Sequence, residues 1–239
     1  MGGQVRHAAI VRDVIEEIAT ELRNSINRRP DLILTCGGLG PTADDVTLQA
    51  VARATHRELV TDERALRMVE EKYLSFAARG FVSVGGVTES RRKMACVPEG
   101  ARAIENPLGA APVILLEAAG ARIVSLPGVP AELVAIVEGP LQEFLAGVFG
   151  KGSYREQGSL VECGDESELA PLLEKVSAAN PRVYVKSRAA GFKQDNSFRL
   201  LLSTAAADPK TADDLIAKAW TSLDVTLSEA GIKLHSISE

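Results

Sequence analysis

A buried strand that runs into glycines and then into paired acids leaves few folds open to a chain. Leu32-Ile33-Leu34 is a short apolar run, and Gly37-Gly38-Leu39-Gly40-Pro41-Thr42-Ala43-Asp44-Asp45-Val46-Thr47 follows it closely. The glycines let the backbone turn sharply and admit a ligand where a Cβ would stand in the way. Pro41 fixes one dihedral, and Thr42 is a candidate N-cap for a helix near whose start Asp44 and Asp45 lie. The first N–H groups of such a helix can face a phosphate, and the two carboxylates can hold a metal ion or polarise a group beside it. An α/β protein builds an anion site in this way. Taken alone, the segment also reads as a plain strand-to-helix turn with a capping acid.

The 239 residues are 46% hydrophobic, enough for a core and for one large and one small domain. The formal net charge is -5, and apart from Arg91-Arg92-Lys93 the basic residues are scattered. That argues against nucleic acid or an anionic membrane as partner. Cys36, Cys96 and Cys163 lie far apart with no CxxC pair, so reduced thiols in a cytoplasmic protein are expected, not a disulfide frame or zinc site. Cys36, on the strand just before the turn, reads as a small buried residue. No apolar run approaches the roughly 18 residues that span a bilayer, and the N-terminus has no signal-peptide core. His7, His56 and His235 show no ligand spacing, and Ser125 is not in a Gly-x-Ser-x-Gly elbow. The glycine turn lacks the Rossmann spacing and the lysine of a P-loop.

Strands and helices alternate along residues 1–150. A strand is predicted at 5–11, a helix at 13–28 and a buried strand at 31–36, with helices at 45–55 and, capped by Thr61 or Asp62, through Leu66, Val69, Tyr73 and Phe76. Residues 79–87 read as loop and 89–94 as helical, before the turn Pro98-Glu99-Gly100. Residues 113–117 and 121–126 form a hairpin, Pro127-Gly128-Val129-Pro130 a second tight turn, and a helix runs from 131 past 141. This order predicts an α/β fold: three layers, with a mostly parallel sheet covered on both faces. Glycines at 147–158 mark a seam. Residues 151–239 then read as a small α+β domain, with strands at 159–163, 182–186 and 198–204 and helices at 166–176 and 210–229.

Two further segments belong beside the glycine turn. Arg91-Arg92-Lys93-Met94-Ala95 is followed by Pro98-Glu99-Gly100-Ala101 and Asn106-Pro107-Leu108-Gly109-Ala110-Ala111-Pro112, a long irregular stretch suited to wrapping a ligand. Leu126-Pro127-Gly128-Val129-Pro130-Ala131-Glu132 repeats the strand–turn–helix pattern with an acid in the first helical turn. In a parallel sheet such turns gather at the carboxyl ends of the strands, where ligands bind.

On these residues, positions 5 to about 150 resemble the molybdopterin-binding (MoaB/MogA-type) domain in the form found at the N-terminus of CinA. The tail, from Gly164-Asp165-Glu166-Ser167-Glu168-Leu169 through Asn180-Pro181 and Val183-Tyr184-Val185-Lys186-Ser187, is similar to the small second domain of stand-alone CinA-like proteins. The resemblance implies a doubly wound, homo-oligomeric domain whose pocket takes the phosphate of a nucleotide or of molybdopterin. It implies metal-dependent hydrolysis of ADP-ribose-type pyrophosphates, with molybdopterin adenylylation or a non-catalytic nucleotide-binding module as alternatives. The deamidase activity of full-length CinA is expected to be absent.

Carried over by residue, Gly38, Gly40 and Thr42 would donate to phosphate, Lys93 would meet its charge and Asn106 would orient it, with Gly37, Gly109, Pro127 and Gly128 also binding the ligand. Asp44 and Asp45 would be catalytic, holding a divalent ion such as magnesium, with Glu132 on the metal side. The family's Gly-x-Glu-Leu-Leu-x-Gly stretch does not occur, so the first βα unit is expected to be lacking. Ala110 and Val113 stand where the family pattern has Thr and Gly.

Overall fold

The computed structural model describes residues 3–118, 120–150, 152–163, 165–189 and 197–235. The chain divides into two compact units, Val5–Phe144 and Leu145–Glu239, the second also taking in Met1–Gln4.

In the first unit, helix α1 (Ile15–Asn27) turns Ile18, Ala19 and Leu22 to one side. There they pack with Ala50, Val51 and Ala54 of α2 (Thr47–Thr55) and with Ile33, Leu116 and Ile123 of the sheet. The sheet comprises β1 (Ile33–Cys36), β4 (Arg102–Ile104), β5 (Val113–Ala118) and β6 (Ala121–Leu126), in the order β1-β6-β5-β4. A two-stranded ribbon of β2 (Leu59–Thr61) and β3 (Cys96–Pro98) stands apart from it. Asp62 caps α3 (Glu63–Ala78) by accepting from Ala65 N at 2.6 Å, and α4 (Glu89–Arg92) runs into a 3-10 turn at Lys93–Ala95. A second core of Leu39, Leu48, Ala65, Ala95, Val97 and Ile114 ties these elements beneath the glycine turn.

The expected α/β class is what forms, and the sheet is mixed. β1 and β6 are parallel, whereas β5 pairs antiparallel with both β6 and β4. The parallel pair is the one that matters for function. It sets Cys36 opposite Leu126, so the turns beginning at Gly37 and Pro127 leave the sheet side by side.

Several expectations are corrected. Residues 5–11 form no strand: Val5 is 90% exposed, Ile10 is fully exposed, and no ladder partner lies alongside. Apolar residues alone do not make a strand where the backbone has nothing to pair with. Helix α2 begins at Thr47, two residues later than predicted, because Asp44 and Asp45 are drawn into the turn by Thr42. The helix predicted through 141 is two helices, α5 (Pro130–Glu138) and α6 (Gln142–Phe149). Between them Gly139 leaves the helical region at φ -117° and ψ -112°, and Pro140 has no N–H to continue the ladder. Cys36 is exposed, because β1 is an edge strand.

The second unit is an antiparallel sheet in the order β10-β7-β9-β8, made of β7 (Ser153–Glu162), β8 (Tyr184–Ala189), β9 (Ser197–Ala206) and β10 (Leu234–His235). Helices α7 (Glu166–Ala179) and α8 (Pro209–Glu229) share its core through Leu169, Val176, Leu200, Leu202 and Leu223. From Ser153 onward the predicted seam is strand. β7 pairs with β9 from Ser153↔Ala206 to Glu162↔Ser197, and that continuous ladder carries Gly158 within it. Among the described residues no helix is long and apolar enough to cross a membrane.

Candidate functional site

The glycine turn is held from three sides. Gly37 N donates to Leu126 O at 2.9 Å, fastening the turn to the end of β6. Thr47, at the start of α2, donates its hydroxyl to Gly37 O at 2.8 Å and its N–H to Gly38 O at 3.2 Å. Gly128 of the second turn stacks against the first, where an added Cβ would meet Gly37 Cα at 3.4 Å. Gly38 has φ +69°, and a Cβ on it would stand 2.2 Å from Thr47 Oγ1. Both conformation and space therefore require glycine there.

Thr42 gathers the two acids. Its hydroxyl lies 2.5 Å from both Asp44 Oδ1 and Asp45 Oδ2, and its N–H donates to Asp45 Oδ2 at 2.8 Å. One hydroxyl hydrogen serves one carboxylate at a time, so Asp45 keeps the amide while Asp44 is the less committed. The Thr42 hydroxyl, then Asp44's own N–H, and lastly the charge of Lys93 hold the Asp44 carboxyl below its ordinary range. Thr42 is thus a clasp for the acids, not the N-cap of α2.

Lys93 arrives from 51 residues away and donates through Nζ to Thr42 O. Its backbone is set by the Thr88-capped α4 and the 3-10 turn that follows. The result is a cleft of about 30 Å³ with Gly38, Gly40, Asp45, Leu48, Lys93 and Cys96 among its walls. Leu48 and Gln49, in the first turn of α2, line it, and their N–H groups have no intrahelical acceptor, whereas the Thr47 N–H is already given to Gly38 O.

Asn106 has a different setting. It is 3% exposed, and its amide is saturated. Nδ2 donates to Ala111 O at 3.0 Å and to Glu132 Oε2 at 2.7 Å, while Oδ1 accepts from Leu108 N at 3.1 Å and Gly109 N at 2.9 Å. Gly109 packs under this pair, since a Cβ there would lie 2.1 Å from Glu132 Oε2. Asn106 therefore shapes its loop, and Glu132 is engaged with Asn106. Val113, in the place of a family glycine, begins β5 without a positive φ and pairs with Ile104.

The structure thus brings Gly37, Gly38, Gly40, Thr42, Asp44, Asp45 and Lys93 together, with Gly128 and buried Pro127 supporting the turn from beneath. Asn106, Gly109 and Glu132 form a separate hydrogen-bonded group. Among the described residues no three His, Cys, Asp or Glu side chains converge as a metal cage, so Glu132 does not complete one with the two aspartates. An ion held by one or two carboxylates and by a ligand's own phosphates needs no such cage, and Asp44 fits that role. The sequence reading assigned no role to Thr47, although its place just after the paired acids was the available signal. It also passed over Cys96.

A mixed α/β unit with two glycine turns at the ends of a parallel strand pair, and a lysine brought onto the first, defines a class of ligand-binding domain. The model of the family described as "Probable molybdopterin binding domain" matches residues 1–147, and the chain belongs to that family. The chain is 44% identical over 191 residues to a protein of Aeropyrum pernix, covering 80% of this chain and 68% of that one. A Pyrobaculum calidifontis protein is 38% identical over 224 residues, 93% of this chain and 82% of its own. Among solved structures the chain is similar to the protein CinA, of unknown function, from Thermoplasma acidophilum. The identity is 36% and the TM-score 0.51, over 61% of this chain and 78% of that one.

Proposed function

We propose that the first unit binds the phosphate or pyrophosphate group of a pterin or nucleotide at the glycine turn. The observation that carries this reading is the convergence of Lys93 Nζ on Thr42 O within a turn whose glycines back onto the start of α2. The lysine supplies charge, Leu48 and Gln49 in the first turn of α2 supply N–H donors, and the glycines let phosphate oxygens approach the backbone. Membership of the molybdopterin-binding family supports the pterin as one such ligand.

Hydrolysis of an ADP-ribose-type pyrophosphate is the second reading, and the exposed, ionised carboxylate of Asp44 favours it. A divalent ion shared by Asp44 and the ligand would neutralise phosphate charge. Asp44, kept ionised, is a weak proton acceptor, so its part is to orient and not to deprotonate. The test is a melting curve of the purified chain with a nucleotide and pterin panel, followed by chromatography for AMP released from ADP-ribose with added magnesium. A ligand-induced rise in Tm supports binding, and AMP release lost in Asp44→Ala supports hydrolysis. An unchanged curve across the panel sinks both.

A further inference from the structure

The sheet of the second unit carries its helices on one face. Val161, Leu200 and Leu202, with Val185 and Phe198 beside them, share the core of α7 and α8. Side chains alternate along a strand, so Leu160, Arg199, Leu201, Tyr184, Lys186 and Arg188 belong to the opposite face. The register sets them in rows. Arg188 stands beside Arg199 and Leu160, Lys186 beside Leu201 and Gly158, and Tyr184 beside Ser203 and Glu156. Successive rows lie about 6.8 Å apart, two residues at roughly 3.4 Å each. Tyr184 is 58% exposed, and Lys186, Arg188 and Arg199 are exposed with it.

The charge on that face is one-sided. β8 and β9 carry these three cations and no acid. Among the described residues none of the three has a hydrogen-bond or ion-pair partner. Arg188 and Arg199 stand directly opposite each other, a like-charge pair that weakens the sheet until an anion comes between them. The acids of β7 on this face are engaged elsewhere. Glu156 Oε2 accepts from the Tyr154 hydroxyl at 2.5 Å, and Glu162 Oε1 lies 3.8 Å from His235 Nε2. The chain as a whole has a net charge of -5, so any attraction for a polyanion is confined to this patch. The three cations are dispersed in the sequence, and the antiparallel ladder collects them.

We infer that this open sheet face binds a single-stranded nucleic acid, with Lys186, Arg188 and Arg199 meeting its phosphates and Tyr184 stacking on a base. A cationic track beside an exposed aromatic ring is what an unpaired strand needs, because its phosphates and its base faces are both accessible. Gly158 and Leu201 leave the floor between the cations low enough for a flat base. An acidic peptide would use the charges and leave the tyrosine ring idle, and a duplex keeps its base faces stacked inside. The site lies in the second unit and does not rest on the phosphate reading of the glycine turn.

Fluorescence anisotropy on the full chain at low salt tests it with labelled dodecamers of uridine, of thymidine and of glutamate. At least one oligonucleotide is expected to bind, and the glutamate peptide is not. Arg188→Ala and Arg199→Ala should each weaken the oligonucleotide about fivefold to tenfold. Tyr184→Ala should weaken it roughly fivefold or more, while Tyr184→Phe, which keeps the ring, should not. In the wild type the logarithm of the affinity should fall against that of salt with a slope of roughly -2, about -0.7 for each of three phosphates. Either arginine variant relieves the like-charge pair, so both should melt no lower than the wild type. Failure of both oligonucleotides to bind, or affinity unchanged in the two arginine variants, overturns the inference. So does an affinity indifferent to Tyr184→Ala, the mark of a plain polyanion patch, and so does equal affinity for the glutamate peptide.

Discussion

The hydroxyl of Thr47 occupies the space that a side chain on Gly38 would need, 2.2 Å from an ideal Cβ, and the same hydroxyl donates to Gly37 O at 2.8 Å. The turn and the start of α2 are thereby fitted to each other. Gly38→Ala is expected to destabilise the chain by about 2–4 kcal/mol, from its positive φ and the clash together. Gly37→Ala, with φ +97° but no atom within 4 Å of the new Cβ, is expected to cost only about 1–2 kcal/mol. Urea denaturation compares the two, and equal losses would contradict the close fit at Gly38.

The bond from Asn106 Nδ2 to Glu132 Oε2 joins two turns that lie 26 residues apart in sequence. Asn106→Ala leaves the N–H groups of Leu108 and Gly109 and the Glu132 carboxylate without their partner, at about 2–3 kcal/mol. A double-mutant cycle between Asn106 and Glu132 is expected to give a coupling of about 1–2 kcal/mol. Glu132→Gln, which keeps an acceptor oxygen, should restore most of it. A coupling near zero would remove Glu132 from this role.

Gly109 offers a steric check on the same group. Its Cβ would fall 2.1 Å from Glu132 Oε2 and 2.6 Å from Asn106 Nδ2. Gly109→Ala should destabilise the wild-type chain by about 1–3 kcal/mol, and less when Glu132 is already Ala. Identical costs in the two backgrounds, read from thermal melts, would mean that Glu132 is not the obstacle.

Asp44 gives a pH prediction. The Thr42 hydroxyl lowers its folded pKa, so the carboxylate's contribution is complete above the unfolded value of about 3.9 and is lost as pH falls through the lower folded value. A carboxyl NMR titration should show a midpoint below that of an unfolded aspartate, moving upward in Thr42→Val. A midpoint unmoved by Thr42→Val would show that the hydroxyl does not hold the charge.

Much of this site could be read in the chain because its parts are local. Gly37 to Asp45 is one continuous turn, and the hairpin of β5 and β6 follows from its alternation and its turn residues. The role of Lys93 was harder to read. Its spacing says only that it ends a short helix, and the 51-residue contact with Thr42 is made by the packing of α3, α4 and β3. Asn106 and Glu132 took ligand-side and metal-side roles from the family resemblance. Burial and a saturated amide, which only the folded structure displays, turn them toward each other. Residues 5–11 misled for the opposite reason, since apolar composition suggests a strand whatever lies alongside.

The most direct measurement is calorimetric titration of inorganic pyrophosphate into the wild-type chain and Lys93→Ala at low salt. The account predicts binding by the wild type and a loss of about tenfold, near 1.4 kcal/mol, in the variant. Absence of wild-type binding, or equal affinity in a folded Lys93→Ala, would contradict a phosphate site at the glycine turn.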